Sequence, residues 1–289
     1  MFDRFETFDT RVNGVNIHFV KGGEGPPLLL LHGYPQTHVM WHKIAEDLAE
    51  HFIVVASDLR GYGDSEKPPS RDDHYPYSKR MMAKDQVELM AYLGYHDFYV
   101  VGHDRGGRVG HRLALDYPDK VKKLVVMDIA PTYAMYHSTD KEFATAYYHW
   151  FFLIQPYDLP ERMIGQDPVY YLEKKLGQWG RDPGAFPEKA WKEYIRCFTP
   201  ATIHASCEDY RASATVDLAH DQIDLDQGTK ITCPLLVMWG EKGFVGGKYD
   251  MVGEWSRWAG EVKSIGLPCG HYLPEEDPLG TFKALIEFL

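Results

Sequence analysis

The run Gly102-His103-Asp104-Arg105-Gly106-Gly107-Arg108 puts a carboxylate where the Gly-x-Ser-x-Gly pattern of serine hydrolases holds its nucleophile. It follows the short apolar run "FYVV" and precedes a stretch compatible with a helix through about Asp116. Strand, glycine-flanked turn and helix are the setting of a nucleophile elbow, because the glycines leave room for a turn tight enough to expose its central residue. On this pattern alone Asp104 is either a nucleophile or an ordinary helix cap. A carboxylate with a reference pKa of about 3.9 is ionised at neutral pH and can attack without a base to activate it. In this fold the partners follow in the order nucleophile, acid, histidine. His271, in "LPCGHYLPEE", is the histidine that lies beyond the last expected strand. For the acid, the loop "GEKGF" offers Glu241, and the end of "KLVVMD" offers Asp128. Asp128 is preferred, since the carboxyl end of a parallel strand faces the ligand crevice; the alternative is an aspartate that caps the following turn.

Arg105 and Arg108 stand three positions apart, so they share a helix face and could grip both oxygens of a carboxylate. Cations at a helix N-terminus oppose the macrodipole, a mild cost that makes sense if an anion completes the site. Pairing of one or both with surface carboxylates is the plainer alternative. With 31 basic and 42 acidic side chains the net charge is -11. This argues against nucleic acid or an anionic membrane as partner, and it means that local cations must override the overall field if a small anion is to bind.

The elements that must position these residues alternate. Asn13-Gly14 in "TRVNGVNIHFV" signals a hairpin, because both residues tolerate positive φ. The apolar run Leu28 to Leu31 reads as a buried strand, a helical stretch is expected around Trp41 to Ala49, and "FIVVAS" is a further strand. From Ser78, Met82, Leu89, Met90 and Leu93 share one helix face, with Gly94 as the stop. After "FYVV", the elbow helix and "KLVVMD", the pattern changes to aromatic, helix-compatible segments broken by Pro and Gly. Alternation resumes with "PLLVMW", "YDMVGEWSRWA", "VKSIG" and "LGTFKALIEFL". The expectation is an α/β fold with a mostly parallel sheet covered by helices. Its core comprises residues 1–128 and 227–289, and residues 129–226 form an inserted helical cap. The start "MFDRFETFDT" does not read as a signal peptide, no apolar run reaches the length of a membrane span, and the four cysteines lack metal-ligand spacing. A cytoplasmic location with unpaired thiols is expected.

The elbow, together with "HGYPQTHVMWHKIA", "DLRGYGDS", "MDIAPTY", "YYHWFFL", "CEDYRA" and "GHYLPEE", closely resembles the fluoroacetate dehalogenases of the α/β-hydrolase family. The resemblance implies Asp104 as nucleophile, His271 as base and Asp128 as its orienting acid. It further implies Arg105 and Arg108 as binders of the substrate carboxylate, and His149, Trp150 and Tyr210 as the halide pocket. Without it, the aromatic stripe "AYYHWFF" reads as packing. Backbone N–H groups of Tyr34 and Arg105 are candidates for an oxyanion hole. His32, His103 and Asp58 are read as structural. The implied partners are a small anionic haloacid and water, with no metal or organic cofactor, and the implied assembly is a homodimer.

Epoxide hydrolases and haloalkane dehalogenases share an aspartate elbow but characteristically carry Trp after the nucleophile. This chain has Arg105 there, and a guanidinium selects a carboxylate where an indole does not. Epoxide hydrolysis would instead need acidic groups, for which Tyr147, Tyr148 and Tyr210 are available. A third reading, a catalytically silent ligand receptor, would be favoured by a broken triad, and no member is missing.

Overall fold

The computed structural model describes residues 1–180, 182 and 184–289. The strands are β1 (Glu6–Val12), β2 (Val15–Gly22), β3 (Pro27–Leu31), β4 (Ile53–Ser57), β5 (Phe98–His103), β6 (Val121–Met127), β7 (Leu235–Gly240) and β8 (Val262–Leu267). They form one sheet in the order β1-β2-β4-β3-β5-β6-β7-β8. Only β2 runs against the rest, pairing antiparallel with both β1 and β4. Asn13 and Gly14, both at positive φ, turn β1 into β2 with Val12 opposite Val15.

Side chains alternate across the pleat, so each central strand feeds two cores. On one face Leu29, Leu31, Val100 and Val126 pack with Val109 and Leu113 of the elbow helix, Arg105–Asp116, and with Met82 and Leu89 of the helix Lys79–Tyr92. On the other face Leu28, Leu30, Val101 and Val125 pack with Trp41 and with Leu285 and Phe288 of the closing helix, Pro278–Phe288. Both faces are covered, which is why the parallel strands read as continuous apolar runs.

Between β6 and β7 the described elements are all helical, from Thr132–His137 to Val216–Gln227. Their apolar faces, including Trp150, Leu172, Leu176 and Tyr210, join the first of the two cores. The helix expected around Trp41 to Ala49 is instead a single turn, His38–Trp41, followed by the short helix Ala45–Leu48. Among the described residues no helix is long and apolar enough to cross a membrane.

Candidate active site

The carboxyl ends of β5 and β6 each end in an aspartate with left-handed φ. Asp104 lies at φ 46°, ψ −113°, and Asp128 at φ 52°. Such backbone conformations cost roughly 1–3 kcal/mol each and persist where the surroundings enforce them. Here the enforcement is local. The Asp104 N–H donates to the Met127 carbonyl (3.1 Å) and the Asp128 N–H to that of Met238 (2.8 Å), so each turn is pinned to the neighbouring strand. The elbow needs its glycines: a Cβ on Gly106 would stand 2.3 Å from the Leu31 carbonyl oxygen, and one on Gly102 would stand 2.4 Å from that of Gly106.

Asp104 occupies the N-cap position but makes no side-chain cap hydrogen bond. Its Oδ1 instead accepts the Tyr34 N–H at 2.9 Å. Burial pushes the carboxyl up in pKa, but the charges of His271, His103, Arg105 and Arg108 outweigh it, so the group lies below the ordinary carboxylate range. The nucleophile position thus holds an anion at neutral pH.

His271 Nδ1 lies 2.6 Å from Asp128 Oδ2. An ionised carboxylate only accepts, so the proton sits on Nδ1 and Nε2 carries the lone pair in the neutral ring. That Nε2 is buried without a hydrogen-bond partner among the described residues. Asp128 is itself held by the Gly240 N–H at 3.0 Å. Burial lowers the His271 pKa, but the hydrogen bond and charge of Asp128, followed by the charge of Asp104, raise it above the usual histidine value.

The two arginines are held differently. Arg105 gives Nε to Asp209 Oδ2 (2.9 Å) and Nη2 to Asp209 Oδ1 (2.6 Å), the Asp209 carbonyl and the Ser213 hydroxyl. Asp209 also accepts Lys79 Nζ and the Tyr62 hydroxyl, and Lys79 lies near Asp217. The partner of Arg105 is therefore a buried aspartate on the helix Pro200–Ala214, and only Nη1 is left unpartnered. Arg108 has no carboxylate partner among the described residues. It donates to the Ala130 carbonyl (3.0 Å), the Thr132 hydroxyl (2.9 Å) and the Met135 sulfur, leaving Nε unpartnered. Burial and the charge of Arg105 lower its pKa, the mark of an uncompensated cation.

Ring contacts bring the remaining residues to the same place. The Arg105 guanidinium lies 4.1 Å from the Tyr210 ring centroid, and that of Arg108 lies 4.7 Å from Trp150. His149 and Tyr210 have centroids 5.6 Å apart, and Tyr34 lies 5.4 Å from Tyr210. His149 Nδ1, Trp150 Nε1 and the Tyr210 hydroxyl are all buried without a partner among the described residues. Burial and Asp104 hold the Tyr210 hydroxyl protonated, while burial and Lys175 keep His149 neutral. The stripe "AYYHWFF" therefore serves both readings, packing into the core and presenting polar atoms.

The sequence and the fold match known proteins. A family model described as the alpha/beta hydrolase fold matches residues 26–278. The chain belongs to the α/β hydrolase family. A fluoroacetate dehalogenase of a Burkholderia species is 46% identical, covering all of this chain and 95% of the relative. A soluble epoxide hydrolase of Corynebacterium sp. strain C12 is 35% identical over 96% of this chain and 94% of its own length. A solved structure assigned to the α/β hydrolases of Nostoc sp PCC 7120 superposes with a TM-score of 0.98 at 61% identity, covering 100% of this chain and 99% of that one. The resemblance drawn from the motifs thus extends along the whole chain.

This α/β hydrolase has a surface cleft of about 470 Å³ that reaches His271 and Asp128 past Tyr147, Trp179, Phe244 and Lys248. Asp104, the arginines and the three aromatic residues lie deeper, each no more than 5% exposed. His32, His103 and Asp58 make internal bonds: His32 Nε2 accepts the Leu59 N–H, His103 Nε2 donates to the His271 carbonyl, and Asp58 accepts the His38 N–H and ring. Glu241 lies elsewhere in the loop after β7, where its side chain approaches Gly266. Sequence reasoning missed Asp209, Trp179 and Lys175. Asp209 stands inside the quoted stretch "CEDYRA", but nothing local marks it as the counter-ion of a residue 104 positions earlier.

Proposed function

We propose that this α/β hydrolase is a haloacetate dehalogenase that converts fluoroacetate and water into glycolate, fluoride and a proton. One observation carries the reading. Around a buried, ionised Asp104, Arg105 Nη1, Arg108 Nε, His149 Nδ1, Trp150 Nε1 and the Tyr210 hydroxyl are among the buried polar atoms able to donate hydrogen bonds that lack an acceptor among the described residues. Leaving such groups buried and unpaired costs roughly 1–3 kcal/mol each, more where charged, and an anionic substrate offsets that cost. A haloacetate supplies a carboxylate for the arginines and a halogen for the other three.

In the first step Asp104 Oδ2 attacks the carbon bearing the halogen. The new C–O bond forms as the C–F bond breaks, and its electron pair leaves with fluoride. Oδ1, held by the Tyr34 N–H, becomes the carbonyl oxygen of the ester and then the oxyanion when water attacks Asp104 Cγ. Ester formation removes the Asp104 charge, a lesser cause of the raised His271 pKa than Asp128, so the imidazole becomes somewhat less basic at the step where it must be neutral to accept a proton. Nε2 takes the proton from water, its oxygen adds to Cγ, and glycolate departs with the proton returned by His271. The helices between β6 and β7 act in this reading as the cap that closes the pocket.

Epoxide hydrolysis is the second reading, favoured by the unpartnered Tyr210 hydroxyl beside Asp104 and by the similarity to the Corynebacterium enzyme. It gives no role to Arg108, which has no carboxylate partner among the described residues. Halide release from fluoroacetate and chloroacetate, measured with ion-selective electrodes beside turnover of a simple epoxide, separates the two. Sustained halide release that disappears in Asp104→Asn supports the dehalogenase, and epoxide turnover alone rejects it.

A further inference from the structure

Lys175, on the helix Pro168–Trp179, is fully buried, yet among the described residues its Nζ has neither a hydrogen-bond acceptor nor an ion-pair partner. The ammonium sits in an aromatic sleeve, 3.7 Å from the Tyr148 ring centroid, 5.1 Å from Trp179 and 5.7 Å from Tyr171. Aromatic faces return roughly 0.5–2 kcal/mol to a cation, less than the several kcal/mol that burying an unpaired charge costs. An ammonium so poorly compensated gains or loses its proton readily and responds to an anion nearby. Lys175 shares the Trp179 ring with His149, whose ring centroid lies 4.5 Å from that of Trp179. Of the charges that act on His149, Lys175 is the strongest, ahead of His271, Arg105 and Arg108.

We propose that Lys175 is a positioning residue of the field behind the halide pocket: its positive charge stabilises the departing halide from beyond His149 and sets the preference for fluoride over heavier halides. This rests on the dehalogenase reading. Fluoride is small and weakly polarisable, so its charge at the transition state must be met by fixed positive potential, whereas chloride and bromide spread theirs over a polarisable shell. Losing a nearby cation therefore penalises C–F cleavage more than C–Cl cleavage. Burial lowers Lys175 to a pKa of about 7, so its charge is adjustable at neutral pH, and an anion beside it draws a proton onto it. Among the described residues, the rings that face it are Tyr148, at the start of the neighbouring helix, and Tyr171 and Trp179 from its own, with His149 packed on Trp179. Tyr34 from the core reaches Tyr171 through its hydroxyl at 3.4 Å. None is a carboxylate.

The test is the ratio of kcat/KM for fluoroacetate to that for chloroacetate in wild type, Lys175→Met and Lys175→Arg. This constant runs only to carbon–halogen cleavage, the first irreversible step, so hydrolysis of the ester by His271 does not enter it. Lys175→Met is expected to lower the ratio about tenfold, and Lys175→Arg, which keeps the charge, to restore it. In wild type the ratio falls as pH rises through about 7, the value for Lys175. In both variants it is flat. Equal effects on the two substrates, or a wild-type ratio that does not respond to pH, overturn the inference while leaving the dehalogenase standing. No halide from either substrate overturns both. Should Lys175→Met fail to fold, Lys175→Arg and the wild-type pH series still decide.

Discussion

Arg108→Leu should separate function from stability. Arg108 is the arginine without a counter-ion, because the Arg105 charge is met by Asp209. The substitution removes a charge-assisted hydrogen bond to the substrate carboxylate, worth roughly 1.5–3 kcal/mol. At about 1.36 kcal/mol per decade, kcat/KM for chloroacetate falls about 10- to 150-fold. Stability is the balance of two opposed effects. The Ala130 carbonyl and the Thr132 hydroxyl lose their donor, a cost of roughly 1–3 kcal/mol. Against this, the fold no longer buries an unpaired cation, whose penalty is several kcal/mol. Stability in urea should therefore hold or rise while catalysis collapses. The decisive control is chloroacetamide, a neutral analogue of similar shape, for which wild type and variant should differ by less than about threefold. An equal loss on both substrates would refute the reasoning, because Arg108 would then support the fold of the site and not the charge of its ligand.

Other expectations follow from the same contacts. His271→Gln should release one equivalent of halide and stop, with Asp104 carrying the added mass of a carboxymethyl group in a peptide digest; continued turnover would reassign the base. Because the Asp128 hydrogen bond and charge raise His271, the rate of ester hydrolysis should climb with pH as that imidazole loses its proton. Asp128→Asn should shift this limb about one pH unit lower in single-turnover measurements. An unmoved limb would mean that another group titrates. Among the described residues, Asp209→Asn leaves Arg105 short of its counter-ion and Lys79 with Asp217 alone, at 3.5 Å, and urea denaturation should show a loss of roughly 3–5 kcal/mol. Arg105→Met should cost less, since Lys79 and Asp209 keep each other.

The parts of this molecule that were legible in its sequence are those encoded by neighbours in the chain. Asn13-Gly14 could only turn a hairpin, Ser78 caps its helix through the Met81 N–H, and Gly94 ends that helix at positive φ. The elbow, too, is a local pattern, and its chain order with Asp128 and His271 follows from the sheet. What stayed hidden depends on distant side chains meeting. The stretch from Trp41 to Ala49 has a helical composition, yet the His42 ring bonds the Val39 carbonyl and the chain makes two short turns. Whether Arg105 was free or paired could not be read from its own surroundings, because Asp209 arrives on a helix from another part of the chain. Lys175 looks like one of several lysines on a mixed helix until Tyr148 folds over it.

The quartet of Arg105, Lys79, Asp209 and Asp217 is neutral as a set, and that neutrality constrains the order in which its members can change through descent. Replacing Arg105 first leaves Lys79 between two aspartates, a surplus of one negative charge that a carboxylate can relieve by taking up a proton. Replacing Asp209 first leaves two buried cations beside each other, one of which cannot lose its proton at any physiological pH. A lineage moving between neutral and anionic substrates would thus exchange the residue after the nucleophile before it touches Asp209. Chains that retain Asp209 without the arginine should accordingly outnumber those with the reverse combination.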